Sequence, residues 1–178
     1  MKIRYLDSNR LYYAFLAGGA AVISNQDYLN KINVFPVADA DTGTNMASTM
    51  RSIVEGTRIY PSVKDTFRSI ADAALMGARG NSGIIFAQFI HGLSTEIQHE
   101  KRIMAAGLAN CLNKAVGYAY ESILEPVEGT MLTVMKDWAQ AIKKYTEKSN
   151  DIVEVLHQSF ITAQKSLAET PQKLKIMA

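Results

Sequence analysis

The sequence predicts an all-α fold, an up-and-down antiparallel bundle of eight amphipathic helices whose last member is cut short. Three observations predict it. The 178 residues hold only 4 prolines and 11 glycines, too few breakers for an all-β sandwich with a turn about every 8–12 residues. Apolar residues make up 48% and charged residues 20%, a globular composition rather than a disordered or collagen-like one. Between turn residues, apolar positions recur at helical spacing along nearly the whole chain. The length fits one compact domain of roughly 100–200 residues.

The elements follow in order. Asp7 or Ser8 caps a first helix along Leu11, Phe15, Gly18/Gly19, Val22 and Leu29, with Ile32 just beyond. A loop from Asn33 to Gly43 leads to a second helix from about Thr44 through Met46, Met50, Ile53 and Val54, ending before Pro61. Ser62 with Asp65 three residues later opens a third helix along Val63, Phe67, Ile70, Ala74 and Leu75. Gly77-Ala78-Arg79-Gly80-Asn81-Ser82-Gly83 interrupts the pattern, and a fourth helix runs from Ile84 to about Ile97. After a charged turn at Glu100-Lys101-Arg102, a fifth helix carries Met104, Leu108, Cys111/Leu112, Ala115, Tyr118 and Ile123 as far as Glu125-Pro126. The sixth shows Met131, Val134/Met135, Trp138, Ile142 and Tyr145, and the seventh Ile152, Val155/Leu156, Phe160, Ala163 and Leu167. Thr170-Pro171 has the form of an N-cap followed by proline at the first helical position, so an eighth helix is expected to start there.

Several function classes are excluded early. A net charge of +2 gives no basic field for nucleic acid. The single cysteine rules out an internal disulfide framework and a Cys-based zinc cluster. The opening residues lack the apolar stretch of a secretory signal. The longest uncharged apolar run, Leu11 to Ile23, is shorter than the roughly 18 residues of a membrane span. A cytoplasmic protein, not integral to a membrane, is expected.

In an up-and-down bundle the turns fall alternately at the two ends. The chemically unusual ones, Asp39-Ala40-Asp41-Thr42-Gly43, Arg79-Gly80-Asn81-Ser82-Gly83 and Glu128-Gly129-Thr130, would then share one rim. Asp39 and Asp41, two apart in a loop, can converge on a hard cation such as magnesium or calcium, or can serve as helix caps in a solvated turn. Gly80-Asn81-Ser82-Gly83 leads into a helix, where backbone N–H groups and the Ser82 hydroxyl suit an anion. It lacks the Gly-Lys-Ser/Thr ending of a Walker A loop. A carboxylate pair beside a phosphate-binding helix end is what phosphoryl transfer needs. Thr42, Thr44 and Asn45 add donors. Arg79 offers a planar cation to a transferring phosphoryl group, or else a surface ion pair.

Three stretches carry a family resemblance: Asn33-Val34-Phe35-Pro36-Val37-Ala38-Asp39-Ala40-Asp41-Thr42-Gly43-Thr44-Asn45-Met46, then Ala78-Arg79-Gly80-Asn81-Ser82-Gly83, then Pro126-Val127-Glu128-Gly129-Thr130-Met131-Leu132-Thr133-Val134. In this order the chain resembles the nucleotide-binding domain of bacterial fatty acid kinase, which is related to the ADP-binding L subunit of dihydroxyacetone kinase. The resemblance implies an eight-helix antiparallel barrel with ATP and two magnesium ions in one mouth. Carried over by position, Asp39 and Asp41 would bind magnesium, with Asn33 a weaker third candidate. Thr42, Gly43, Thr44 and Asn45 with Gly80, Asn81, Ser82 and Gly83 would hold phosphates, and Met46, Thr130 and Met131 would lie near the nucleotide, ATP or ADP. Related sequences read Pro-Asp-Gly-Asp where this one has Ala38-Asp39-Ala40-Asp41, which restricts the backbone if that position needs positive φ.

The implied chemistry is ATP- and magnesium-dependent phosphorylation of a fatty acid carboxylate, presented by a separate acyl-binding protein, to give an acyl phosphate. Phosphorylation of dihydroxyacetone is the alternative within the enzyme class, and a nucleotide-binding regulatory module without its own turnover is the alternative outside it. Residues 1–178 are expected to form one kinase domain. It would lack the family's closing C-terminal segment and the downstream domains, through which a homodimer would form. Cys111 is expected to be a packed thiol, and His91, His99 and His157, which share no ligand spacing, are expected to be structural or surface residues. The eight methionines should mostly fill the core, and Gly18-Gly19 should mark a close helix crossing.

Overall fold

The computed structural model describes residues 2–34, 38–98 and 101–174. Outside them lie Pro36 of the long loop, His99 and Glu100 of the charged turn, and residues 175–178. The chain forms β1 (Tyr5–Asp7), α1 (Ser8–Ser24), α2 (Gln26–Lys31), α3 (Thr42–Gly56), α4 (Val63–Gly77), α5 (Gly80–Glu96), β2 (Arg102–Met104), α6 (Ala105–Glu121), α7 (Met131–Thr146) and α8 (Ile152–Lys173). This is the expected all-α antiparallel bundle, with eight helices among the described residues. Successive long helices pack side by side from α3 to α8, and α1 packs on α3.

Side-chain caps open three of the eight described helices. The Asp7 carboxylate accepts the Arg10 N–H at 2.9 Å, Ser62 accepts the Asp65 N–H at 3.3 Å, and Asp151 accepts the Val153 N–H at 3.1 Å. The core lies between the helices and is built from Leu11, Met50, Ile53, Phe67, Ile70, Ile90, Leu112, Ile142 and Val155, among others. Burying each such side chain contributes about 1.5–3 kcal/mol relative to leaving it exposed. Gly19 makes the expected close crossing, since a Cβ there would lie 2.8 Å from Val54 Cγ2, while Gly18 faces open space.

Five elements differ from the sequence expectation, the fifth helix among them, since α6 spans Ala105–Glu121 with Met104 in β2 and Ile123 beyond its end. The first helix breaks at Asn25, so Leu29 and Ile32 belong to α2 and the residue just beyond it. The fourth helix begins at Gly80 rather than Ile84, so the glycine-rich motif is its first turn and not a loop before it. A two-stranded antiparallel ribbon joins β1 to β2, with Leu6 opposite Ile103, and turns Ile103 into the core. The Thr170-Pro171 pair starts no new helix. α8 runs through Pro171 to Lys173. Proline has no N–H for the Leu167 carbonyl, and the Thr170 hydroxyl donates to that oxygen at 2.8 Å instead. Asp137 of α7 holds the same segment by accepting from Ser166 at 2.6 Å and Lys173 at 3.4 Å.

Among the methionines, Met50 is buried and Met131 and Met135 pack against the core, but Met76 and Met104 are exposed. α8 packs chiefly on α7, and the segment before β1 reaches the start of α8, where the Ile152 N–H donates to the Ile3 carbonyl at 2.7 Å. No helix among the described residues is long and apolar enough to cross a membrane.

Candidate functional site

The alternation of helix directions puts the starts of α3, α5 and α7 at one end of the bundle. None of these three helices receives a cap from its own N-cap side chain, and none has an acidic residue in its first turn. Three of the four long helices that start at the other end, α1, α4 and α8, are side-chain capped. The end where α3, α5 and α7 start therefore gathers positive dipole ends, and the Thr44 N–H in the first turn of α3 is taken by Asn30 Oδ1 of α2 at 3.0 Å.

The first turns of α3 and α5 meet directly. Gly80 takes φ +56°, and a Cβ there would overlap the Asn45 amide. A Cβ at Gly83 would lie 2.8 Å from Thr49 Oγ1. Asn45 is thus brought beside Gly80, and Thr49 beside Gly83, while Gly43 and Thr44 face Gln26 and Asn30 of α2. The Ser82 hydroxyl oxygen is sealed from solvent and has no hydrogen-bond partner, an orphan whose cost a ligand oxygen would relieve.

Asp39 and Asp41 sit in the loop that enters α3, both exposed. Asp41 is the N-cap residue, yet its side chain makes no capping bond. Neither carboxylate has a Lys or Arg ion-pair partner among the described residues. Asn33 donates from Nδ2 to Asp39 Oδ1 at 2.8 Å and accepts from the Thr42 hydroxyl. Two carboxylates, an amide and a hydroxyl are hard oxygen donors of the kind that suits magnesium. No group of three His, Cys, Asp or Glu residues that could hold a metal exists among the described residues. A cation here would draw its remaining ligands from water or phosphate.

Ala40, between the two carboxylates, has φ 56°, the position where positive φ was in question. An L-residue in the left-handed region costs about 1–2 kcal/mol, and glycine loses roughly 0.5–1 kcal/mol more backbone entropy on folding. Ala40→Gly is therefore expected to raise stability by up to about 1 kcal/mol, read as a higher urea midpoint with an unchanged slope. An unchanged or lower midpoint would remove the strain argument.

The third turn belongs to the same end but has its own partners. Glu128 accepts from Tyr120 at 3.1 Å, from Thr133 at 2.5 Å and from Lys136. The Lys136 ammonium, then the Thr133 hydroxyl, hold the Glu128 carboxyl below its ordinary pKa, and Glu128 in turn raises that of Lys136. Gly129, at φ +85°, lies against the end of α8, where a Cβ would come within 2.6 Å of the Leu174 nitrogen. Thr130 donates to the Val127 carbonyl at 2.8 Å and Met131 packs against the core. The described contacts of this turn are thus with α6, α7 and α8.

Arg79 is the N-cap residue of α5, but its guanidinium folds back onto carbonyls at the end of α4, Ala78 at 2.8 Å and Met76 at 3.4 Å. Among the described residues it forms neither a surface ion pair nor a hydrogen bond with Asp39 or Asp41. Cys111 is half-buried against the core. His91 stacks edge-on with Tyr118, and His157 is exposed.

Asn30 was missed by sequence reasoning. Its Oδ1 accepts the Thr44 N–H and its Nδ2 donates to Thr44 Oγ1, both at 3.0 Å. The readable signal was a pair of asparagines three apart, one helical turn, immediately before the acidic loop.

These features define an all-α bundle with an anion- and cation-suited end formed by α2, α3 and α5. The chain belongs to the DAK2 domain family, whose model matches residues 36–178. That family is kinase-related and nucleotide-binding, of the dihydroxyacetone kinase type. An uncharacterized protein of Staphylococcus haemolyticus is 38% identical over 173 residues, covering 96% of this chain and 31% of the relative. Uncharacterized proteins from two strains of Staphylococcus aureus are 36% identical over 173 residues, covering 96% of this chain and 32% of theirs. The chain spans about a third of the length of these curated relatives.

Proposed function

We propose that the chain binds a magnesium nucleotide at the α3–α5 end and takes part in phosphoryl transfer from ATP to a fatty acid carboxylate, held by a separate acyl-binding protein, to give an acyl phosphate. The observation that carries the nucleotide reading is the meeting of two helix starts that lack a bond from their own N-cap side chains, Gly80 against Asn45 and Gly83 against Thr49, beside Asp39 and Asp41, which have no ion-pair partner among the described residues. Asp39 and Asp41, with Asn33 as the weaker third, would hold magnesium, which when bound would neutralise phosphate charge. The first turn of α5, with the Ser82 hydroxyl, would receive phosphate oxygens, and Thr42, Gly43, Thr44 and Asn45 would receive others. Met46, Thr130 and Met131 would lie toward the rest of the nucleotide. The acceptor follows from the Asn-Val-Phe-Pro start and the Arg-Gly-Asn-Ser-Gly turn, which favour the fatty acid branch over dihydroxyacetone. A cytoplasmic setting goes with that reading.

Arg79 favours a second reading. As the candidate catalytic cation, it would have to leave the α4 carbonyls to reach a transferring phosphoryl group. Its present position fits a nucleotide-binding regulatory module without independent turnover. Calorimetric titration with ATP and magnesium tests the shared premise, with saturable one-site binding expected, and no binding to the folded chain would sink both readings. ATP consumption on mixing with a lipid-loaded acyl-binding protein separates them, since turnover supports the kinase and binding without turnover the module.

A further inference from the structure

Two asparagines hold the hydroxyls of Thr42 and Thr44 in opposite senses. The Thr44 backbone N–H, which can only donate, meets Asn30 Oδ1 at 3.0 Å. That contact settles which end of the amide is oxygen, so the end that meets Thr44 Oγ1 at 3.0 Å is the donating nitrogen. Asn33 is settled in the same way from its other side. The Asp39 carboxylate can only accept, so the end 2.8 Å from it is nitrogen, and Asn33 Oδ1 accepts the Thr42 hydroxyl proton.

A hydroxyl has one proton to donate and two lone pairs to offer. Thr42 uses its proton on Asn33 and keeps its lone pairs. Thr44 uses a lone pair on Asn30 and keeps its proton, with no other side-chain hydrogen bond to its hydroxyl among the described residues. We propose that Asn30 and Asn33 are positioning residues that set the polarity of these hydroxyls, turning Thr42 Oγ1 toward a cation held by Asp39 and Asp41 and the Thr44 proton toward a phosphate oxygen. The assignment rests on the nucleotide reading above and divides its two threonines between metal and anion. Asn30 also ties α2 to the start of α3, so the helix that is absent from the sequence motif becomes part of the site.

Three variants test the assignment, each checked for folding by circular dichroism. Thr42→Val should raise the magnesium concentration needed for half-saturation at fixed ATP about tenfold and weaken ATP at saturating magnesium far less than Thr44→Val does. Thr44→Val should do the reverse, weakening ATP about tenfold at saturating magnesium, the loss of roughly one hydrogen bond to a charged group. Asn30→Asp keeps the oxygen that accepts the Thr44 N–H but forces the Thr44 proton onto the introduced carboxylate. Its melting temperature should be unchanged or higher, because an acidic group favours a helix start, while ATP affinity falls at least tenfold. An Asn30→Asp variant with melting temperature and ATP affinity both unchanged would show that Asn30 does not set the Thr44 hydroxyl. Equal effects of Thr42→Val and Thr44→Val on metal and nucleotide, or the reverse pattern, would overturn the polarity assignment while the nucleotide reading stands. Wild-type protein that binds no ATP would overturn both.

Discussion

Replacing Gly43 by alanine should detach α2 from the start of α3 and weaken nucleotide binding more than tenfold while the bundle stays folded. A Cβ at this position would overlap the Gln26 carbonyl oxygen and come within 2.8 Å of Asn30 Oδ1 and 2.9 Å of the Gln26 carbonyl carbon. Two of these atoms are backbone, so no rotamer change relieves the contact and the helix itself must move. α2 contains no buried residue, and its departure would expose little core. Overpacking of this kind costs about 1–3 kcal/mol, and in a domain of this size each kcal/mol lowers the melting temperature by roughly 2–4 °C. Binding should suffer more, because the same movement breaks both Asn30 bonds to Thr44 and disturbs the Asn33 bridge between Thr42 and Asp39. Hydrogen exchange would show lost protection at the start of α3 with little change in α4 to α8. A variant with normal melting and normal affinity would mean that α2 is not part of the site.

The helical periodicity that predicted the bundle reports burial, and burial is what α3 to α7 share. It was blind where polar contacts decide. Asn30 lies in a stretch read through Leu29 and Ile32 as one apolar stripe, and its partner Thr44 is fourteen residues away, beyond any local pattern. The β1–β2 ribbon was invisible for a related reason: its strands have three residues each and pair across nearly a hundred positions. At Thr170-Pro171 the sequence carried the right local signature, but the missing proline N–H is answered by the Thr170 hydroxyl and by Asp137 of α7, so tertiary contacts override the cap. The glycine-rich motif was legible as the break that leads into a helix because its backbone signal is local. Its extent was not, since Gly80 enters the helix at positive φ and the neighbouring Asn45 comes from another element. The third turn was placed at the correct end by topology alone, whereas its attachment to Tyr120, Lys136 and the end of α8 depends on side chains that no spacing rule links.

The double change Asp39→Asn, Asp41→Asn should abolish magnesium-dependent ATP binding, a loss of at least about a hundredfold or roughly 2.7 kcal/mol, with the helical circular dichroism unchanged. The substitution separates the two meanings that an acidic pair at a helix start can have. Asparagine caps helices about as well as aspartate and keeps an oxygen to accept the Asn33 amide, so a purely structural role survives the change. A hard divalent cation depends on carboxylate charge, which the change removes. The geometry already weakens the capping explanation, since the Asp41 side chain makes no cap bond and Asp39 lies outside the helix. Neither residue has an ion-pair partner among the described residues, so stability should move by less than about 1 kcal/mol. Magnesium titrations at fixed ATP give the discriminating curve. Saturation at wild-type magnesium concentrations would return both residues to the capping role and move any metal to other ligands. A flat response, with the fold intact, would leave Asp39 and Asp41 as the metal-binding pair and the α3–α5 end as the place where nucleotide and cation meet.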